Sequence, residues 1–254
     1  MRIGKQDRRV SALSTSTPEA ITVRGKDLCG ELIGRTDFTS YFWFLVTGAQ
    51  PSETQRFFAD AVLTAIAEHG LVPSVVAARM TYAAAPEAFQ GAVAAGLLGC
   101  GTVVLGSAEV AGRLLAELVE SGEAPAAAMS RLRAEKKAIP GFGHPLHAGG
   151  DPRANLLLRL ADEKGAAGPH IKMLRSMKAA LPEVIGRDLP INVNGAIPAV
   201  MLDIGFPLAA LKGISLLART ASLIAHLNEE AERPIGFILS GEAAAAIEYD
   251  GPEG

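Results

Sequence analysis

Cysteine is scarce: the 254 residues hold only Cys29 and Cys100. Neither stands in a C-x-x-C or other metal-ligand spacing, which argues against a zinc ribbon, a redox dithiol or a disulfide scaffold; reduced thiols in a cytoplasmic chain are the expectation. Aromatic residues are few, with one Trp, three Tyr and nine Phe, and alanine is abundant instead, a composition suited to closely packed helices. An excess of one charge is also missing. A formal net charge of −3 gives no electrostatic case for nucleic acid or for an anionic membrane surface. No apolar run approaches a membrane span, and the N-terminus lacks the apolar core of a signal peptide. There are no internal repeats, no evident interdomain linker, and no β-alternation long enough to support a sheet.

What is present is ordinary for a globular chain: 49% apolar and 20% charged residues, over a length that can bury a real core. The periodicity is helical almost throughout. "PSETQRFFADAVLTAIAEHG" carries an i, i+3/i+4 stripe through Phe57, Phe58, Ala61, Val62, Ala65 and Ile66 and stops at Gly70. Further helices are expected from Ser74, across the glycine-rich stretch from Pro86 to Glu120, over "APAAAMSRLRAEKKA", from Asp151, from Pro169 and from Pro207. The polar, basic segment 1–20 is expected to fray.

One stretch departs from this uniformity. "AIPGFGHPLHAGGDPRANLL", Ala138 to Leu157, holds four glycines, three prolines and two histidines. Pro140, Gly141 and Gly143 break the helical pattern, and such a loop admits close approach by another molecule. His144 on that loop is an acid–base candidate, since imidazole titrates near neutrality; a hydrogen-bonded turn histidine is the structural alternative. Asp151-Pro152 reads as an N-cap followed by proline at the first helical position. Arg153 then falls in the first turn, where the helix dipole disfavours a cation and an anion nearby would favour it. His69 falls at a helix C-terminus, where it can cap carbonyls. Arg219 lies on an apolar face with no acidic residue one turn away, so its counter-charge is remote in sequence or belongs to a ligand. His226 shares that face. Asn192 and Asn194-Gly195 read first as a cap or turn.

Taken in order, "VRGKD", "EHGLVPSVVAAR", "IPGFGHPLHAGGDPR", "INVNGAIPAVMLDIGF" and "LLARTASLIAHLNEEAERP" resemble the citrate synthase superfamily over about 21–234. The compact form is most similar to the citryl-CoA lyase type, including the lyase module of ATP-citrate lyase. The resemblance implies an all-α fold of large and small domains, here 21–254 as one unit with a small-domain-like part roughly over 71–186, and a homodimer or higher homo-oligomer. It implies that Ile139, Pro140, Gly141, Phe142 and Gly143 cradle coenzyme A, held as part of the substrate with no permanent cofactor and no metal. It assigns catalytic positions to His144, His69 and Asn194, and carboxylate binding to Arg153, Arg219 and Arg233, the last donated across the dimer. The small molecules implied are an acyl-CoA and a 2-oxo acid.

The sequence departs from the family pattern in three places. Val104 replaces the histidine that polarises the thioester in condensing members, which points toward a lyase. Pro145 follows the loop histidine where relatives usually carry a basic residue. Asn194 replaces the catalytic aspartate of an N-V-D motif, and an amide exchanges hydrogen bonds but does not shuttle a proton near neutral pH. The expected activity is carbon–carbon cleavage of citryl-CoA to acetyl-CoA and oxaloacetate. The alternatives are a lyase or synthase for another acyl-CoA and an inactive CoA- or acid-binding homologue.

Overall fold

A computed structural model describes residues 9–103, 105–143 and 149–252. The chain divides into two compact units, one up to Asp60 and one from Ala61.

The first unit holds a small antiparallel sheet, β1 (Ser14–Ser16), β2 (Ile21–Val23) and β3 (Lys26–Asp27). Thr15 pairs with Thr22, and Thr22 with Asp27. This corrects the expectation of no sheet: strands of two or three residues are too short to show a period-two pattern. It also places Ser14–Ser16 in a paired strand inside the segment expected to fray. A wide turn, Leu28–Leu32, leads to α1 (Phe38–Thr47). Asp37 caps α1 by accepting from the Ser40 amide at 2.8 Å, and Gly48 ends it in the left-handed conformation at φ 79°. Val23, Leu32 and Phe44 form this unit's core.

The rest of the described chain is helical, as the periodicity predicts: α2 (Glu53–Ala67), α3 (Pro73–Ala84), α4 (Phe89–Leu98), α5 (Ser107–Ser121), α6 (Pro125–Ala134), α7 (Pro152–Glu163), α8 (Pro169–Ile185), α9 (Val193–Asp203), α10 (Leu211–Glu232) and α11 (Gly236–Ala246). Four of them, α3, α6, α7 and α8, start on proline, where the missing N–H would have no intrahelical partner anyway. The glycine-rich stretch holds two helices, α4 and α5, the break that its glycines allow.

Val75 and Ala78 of α3, Ala92 of α4, and Leu223 and Leu227 of α10 form a fully buried cluster. Burying each of the larger aliphatic side chains stabilises the fold by roughly 1.5–3 kcal/mol. Helix α9 is buried along nearly its whole length and packs on α5, α7 and α8, so its first turn is held from three sides. Leu208–Glu232 is long and apolar enough to cross a membrane by length and composition, against the reading that no run is. Within the unit it packs on α3, α4 and α5 and carries buried Arg219 and Glu230, the pattern of a core helix.

Arg79 of α3 ties that core to the C-terminal helices. Its Nε donates to Glu230 at 2.6 Å and its Nη1 to Glu229 at 2.7 Å. Glu230 also accepts from the amides of Ile235 and Gly236, which caps α11. Burial pushes the Glu230 carboxyl up, but the Gly236 amide, Arg79 and the Ile235 amide together hold it below its ordinary value. Asp203 plays the same part for α8. Its buried carboxylate accepts from the amides of Gly168, His170 and Ile171 and from His170 Nδ1. Burial opposes ionisation, and these donors outweigh it to lower the Asp203 pKa.

Candidate active site

The broken loop is paired with the segment that enters α9. Phe142 bridges Ile191 in antiparallel fashion, the Asn192 amide donates to Gly141 O at 3.0 Å, and the Gly143 amide donates to Pro190 O at 2.8 Å. Asn192 is the N-cap of α9: its side chain accepts from the Gly195 amide and donates to Gly143 O at 2.6 Å. The local-structure reading of Asn192 therefore holds.

Two glycines set the closeness of this pairing. Gly141 has φ +91°, and a Cβ there would stand 2.9 Å from Gly195 Cα; a Cβ on Gly195 would stand 2.6 Å from Gly141 O. At Gly141 the freedom from a side chain is used by the protein's own backbone. Of the residues assigned to a coenzyme A cradle, Gly141 and Phe142 are buried, while Ile139, Pro140 and Gly143 are half-buried.

The start of α7 follows the Asp-Pro-Arg reading. Asp151 Oδ1 accepts from the Arg153 amide at 3.1 Å. The same carboxylate takes Arg153 Nε and Nη2 at 3.0 Å each and the Val193 amide at 2.9 Å. Burial disfavours its charge, but Arg153 and the Val193 amide more than offset this, and the Asp151 pKa is lowered. The anion next to Arg153 is therefore partly internal. Asp151 joins the first turns of α7 and α9, through Arg153 on one and the Val193 amide on the other.

Arg153 and Asn194 line a cleft of about 280 Å³ together with His69, Arg219 and Ser107. Ile66, Val72, Val103 and Leu105 form its apolar wall. Four helices present their N-terminal ends here: α3 through its N-cap Val72, α5 through its first residue Ser107, α7 through Arg153, and α9 through Val193 and Asn194. Each brings the partial positive charge of a helix start, which favours an anion in the cleft, although Asp151 already takes the Arg153 and Val193 amides. Proline at 198 also withholds the donor that would normally meet the Asn194 carbonyl four residues back.

Arg219 is 3% exposed. Its Nη1 donates to Ser222 Oγ at 3.3 Å, and its Nε has no partner among the described residues. Burial pushes the Arg219 guanidinium down from its ordinary value against the attraction of Glu68. Ser222 passes the contact on by donating to Glu68 Oε2 at 2.6 Å. His226 Nε2 lies 3.0 Å from that same oxygen, and His226 Nδ1 lies 3.3 Å from Arg79 Nη1. Arginine has no acceptor, so Nδ1 is the acceptor and Nε2–H the donor. The remote counter-charge expected for Arg219 is thus Glu68, one serine away. The sequence reading missed Glu68, whose only signal was its place beside His69, and Ser222, whose signal was its place one turn from Arg219. It also missed Ser107, which opens a helix directly after a glycine.

Ser107 is shared with a second, larger cavity of about 580 Å³ that Pro140, Arg113, Arg131 and Lys137 also line. Arg113 pairs with Glu109, Arg131 with Glu117 and Glu123, and Lys137 with Glu135. These are solvent-screened surface pairs, so exchanging a carboxylate for a ligand phosphate costs little. Among the described residues, no group of three or more His, Cys, Asp or Glu is placed to hold a metal ion.

Of the residues singled out from sequence, His69, Arg153, Asn194 and Arg219 meet in one cleft. Arg233 does not join them within the chain; it is exposed at the end of α10 and gives its carbonyl to Arg79 Nη2. His144, Val104 and Pro145 lie outside the described residues.

The model of the citrate synthase C-terminal domain family matches residues 8–236. Citryl-CoA lyase from Hydrogenobacter thermophilus superposes with a TM-score of 0.88 at 28% identity, covering 100% of this chain and 96% of that one. ATP citrate lyase from Methanothrix soehngenii, solved with citrate and coenzyme A, superposes with a TM-score of 0.82 at 22% identity, over 99% of this chain and 43% of that one. Citrate synthase from Haloferax volcanii is 25% identical over 193 residues, 75% of this chain and 51% of the relative. The chain spans about half the length of the curated relatives it matches. By its matched length, its helical architecture and the order of its site segments, the chain belongs to the citrate synthase family.

Proposed function

We propose that this protein is a carbon–carbon lyase acting on the coenzyme A thioester of a hydroxy-polycarboxylic acid, with citryl-CoA cleaved to acetyl-CoA and oxaloacetate. The observation that carries the reading is buried Arg219, whose Nε has no partner among the described residues, in a cleft that four helix N-termini face. Such a site takes a carboxylate. Arg153, already balanced by Asp151, positions a second one, and His69 orients the oxo-acid fragment. Pantetheine and phosphates then lie along the 580 Å³ cavity past Pro140, with Arg113, Arg131 and Lys137 toward the phosphates. The likeness to the H. thermophilus citryl-CoA lyase over nearly the whole of both chains supports the same substrate class.

In the cleavage, the tertiary hydroxyl loses its proton and its oxygen pair forms the new ketone. The carbon–carbon bonding pair moves to the acetyl carbon, delocalises onto the thioester oxygen, and the carbon is then protonated. The family resemblance gives the hydroxyl proton to His144. Asn194 hydrogen-bonds the acetyl fragment without carrying its proton, so that proton comes from water or from the substrate. Coenzyme A enters with the substrate, and the reaction needs no resident cofactor.

The chain acts as a homodimer or larger homo-oligomer in the cytoplasm. Exposed Leu98 at the end of α4 and Phe237 and Ile238 at the start of α11 are apolar surface suited to a second copy, and both cysteines are free thiols. Light scattering on the purified protein reads the assembly.

Incubation with citryl-CoA, followed by mass spectrometry, tests the reading. Acetyl-CoA and oxaloacetate are expected in equal amounts; their absence alongside turnover of another acyl-CoA would remove citrate from the proposal. The apolar wall of Ile66, Val72, Val103 and Leu105 favours that second substrate reading, with a bulkier acyl group. Asn194→Asp, run in parallel, decides whether the amide belongs to the chemistry: a loss of rate says that it does, a large gain that it impairs the reaction.

A further inference from the structure

Cleavage of a thioester substrate builds negative charge on the thioester oxygen, and an enzyme gains most from a donor aimed where that charge develops. With the polycarboxylate end in the cleft and coenzyme A in the larger cavity, the thioester must sit where the two meet. Position 104, where condensing relatives carry the histidine that polarises the thioester, is a valine and offers no side-chain donor. Ser107 is the residue that lines both cavities. Its Oγ is hidden from solvent and has no hydrogen-bond partner among the described residues. Buried hydroxyls are nearly always satisfied, so an orphaned one calls for an explanation.

The position of Ser107 adds to this. It is the first residue of α5, a 15-residue helix whose N-cap is Gly106 and whose first turn has no side-chain cap. The amides there are not competing for the serine hydroxyl, and the helix dipole favours negative charge beside it. Arg219, 97% removed from solvent with its Nε unpartnered, lines the same cleft. Among the described residues, two separate donors of the cleft therefore lack acceptors, and a carboxylate and an enolate oxygen would supply one each.

We propose that Ser107 is a catalytic residue: its hydroxyl donates a hydrogen bond to the thioester oxygen and stabilises the enolate released on carbon–carbon cleavage. The serine transfers no proton and forms no bond; the bonding electron pair moves from the breaking bond onto the acetyl carbon and thioester oxygen, and Ser107 Oγ–H meets it there. This inference rests on the acyl-CoA lyase reading above.

The test compares the full-length wild type with Ser107→Ala and Ser107→Thr. Alanine removes a hydroxyl that has no partner among the described residues, so Tm is expected to hold or rise. The rate of citryl-CoA cleavage is expected to fall by about 10²-fold, in kcat rather than KM, as for loss of one oxyanion donor, and threonine to restore most of it. A second readout does not need turnover. S-carboxymethyl-CoA places a carboxylate where the enolate would be, whereas S-ethyl-CoA has no oxygen there. By calorimetry, Ser107→Ala is expected to weaken the first by roughly 10-fold or more, the worth of a hydrogen bond to a charged group, and to leave the second unchanged. Wild-type turnover with Ser107→Ala unchanged in both rate and binding overturns the role of Ser107 and leaves the lyase reading standing. Equal weakening of both analogues, with a lowered Tm, makes Ser107 structural and overturns the proposal. No wild-type turnover of any acyl-CoA, with the selective loss of S-carboxymethyl-CoA binding retained, sinks the lyase reading and upholds the contact. Failure of the wild type to bind either analogue removes both.

Discussion

Replacing Asp151 by asparagine would separate two first turns that the carboxylate now joins. The side chain is fully buried and meets four donors: the amides of Arg153 and Val193, and Arg153 Nε and Nη2. Oδ1 takes two of them and Oδ2 the other two. A carboxamide can accept on one side only, so either orientation turns its NH2 against two donors. Two charge-assisted bonds are lost, each worth about 1.5–3 kcal/mol, and breaking a buried ion pair from one side costs about 3–5 kcal/mol. Arg153 is 22% exposed and keeps some hydration, which places the expectation near the low end, about 3 kcal/mol. At roughly 2–4 °C per kcal/mol for a chain of this size, Tm should fall by about 6–12 °C. Urea unfolding followed by circular dichroism at pH 7 gives the free energy directly, with the m-value unchanged. A loss below about 1 kcal/mol would refute the account of Asp151 as the joint between α7 and α9. Because the Asp151 pKa is lowered, its contribution is complete above the usual carboxylate range and fades as pH falls through its lower folded value. The gap between wild type and variant should therefore narrow in acid.

Gly141→Ala combines a left-handed backbone with a 2.9 Å contact on Gly195 Cα; a loss of about 1–3 kcal/mol and a parallel drop in activity are expected from thermal melts and the cleavage assay. Glu230→Gln leaves buried Arg79 short of a charge and should destabilise by about 3–5 kcal/mol, read from urea midpoints; a neutral result would mean Glu229 suffices. Asp203→Asn should lower stability at neutral pH and flatten the acid limb of the stability profile. The wild-type carboxylate, with its pKa lowered, stabilises above the ordinary Asp range and is lost below it.

The sequence showed most where chemistry is local. Asp151-Pro152 reads as a helix start because cap and proline are adjacent, and Arg219 reads as unsatisfied because the turns on either side of it hold no acid. Contacts between distant residues were invisible. The Gly141 backbone meets Gly195 fifty-four positions along the chain, so a glycine that lets two protein segments touch looks the same as one that admits a ligand. Glu68 reaches Ser222 and His226 across more than 150 residues, and nothing near either end announces the pair. The sheet escaped because strands of two or three residues are too short for the two-residue alternation to recur.

The line of hydrogen bonds from Arg79 to Arg219 has a direction. Arg79 can only give, so His226 takes at Nδ1 and gives at Nε2; Glu68 takes from His226 and Ser222; and Ser222 is left with lone pairs that Arg219 fills. No member can reverse its role unless a guanidinium at either end moves away. The hydrogens along this row are ordered, as in a crystal of fixed polarity, and the row conveys that orientation into the cleft.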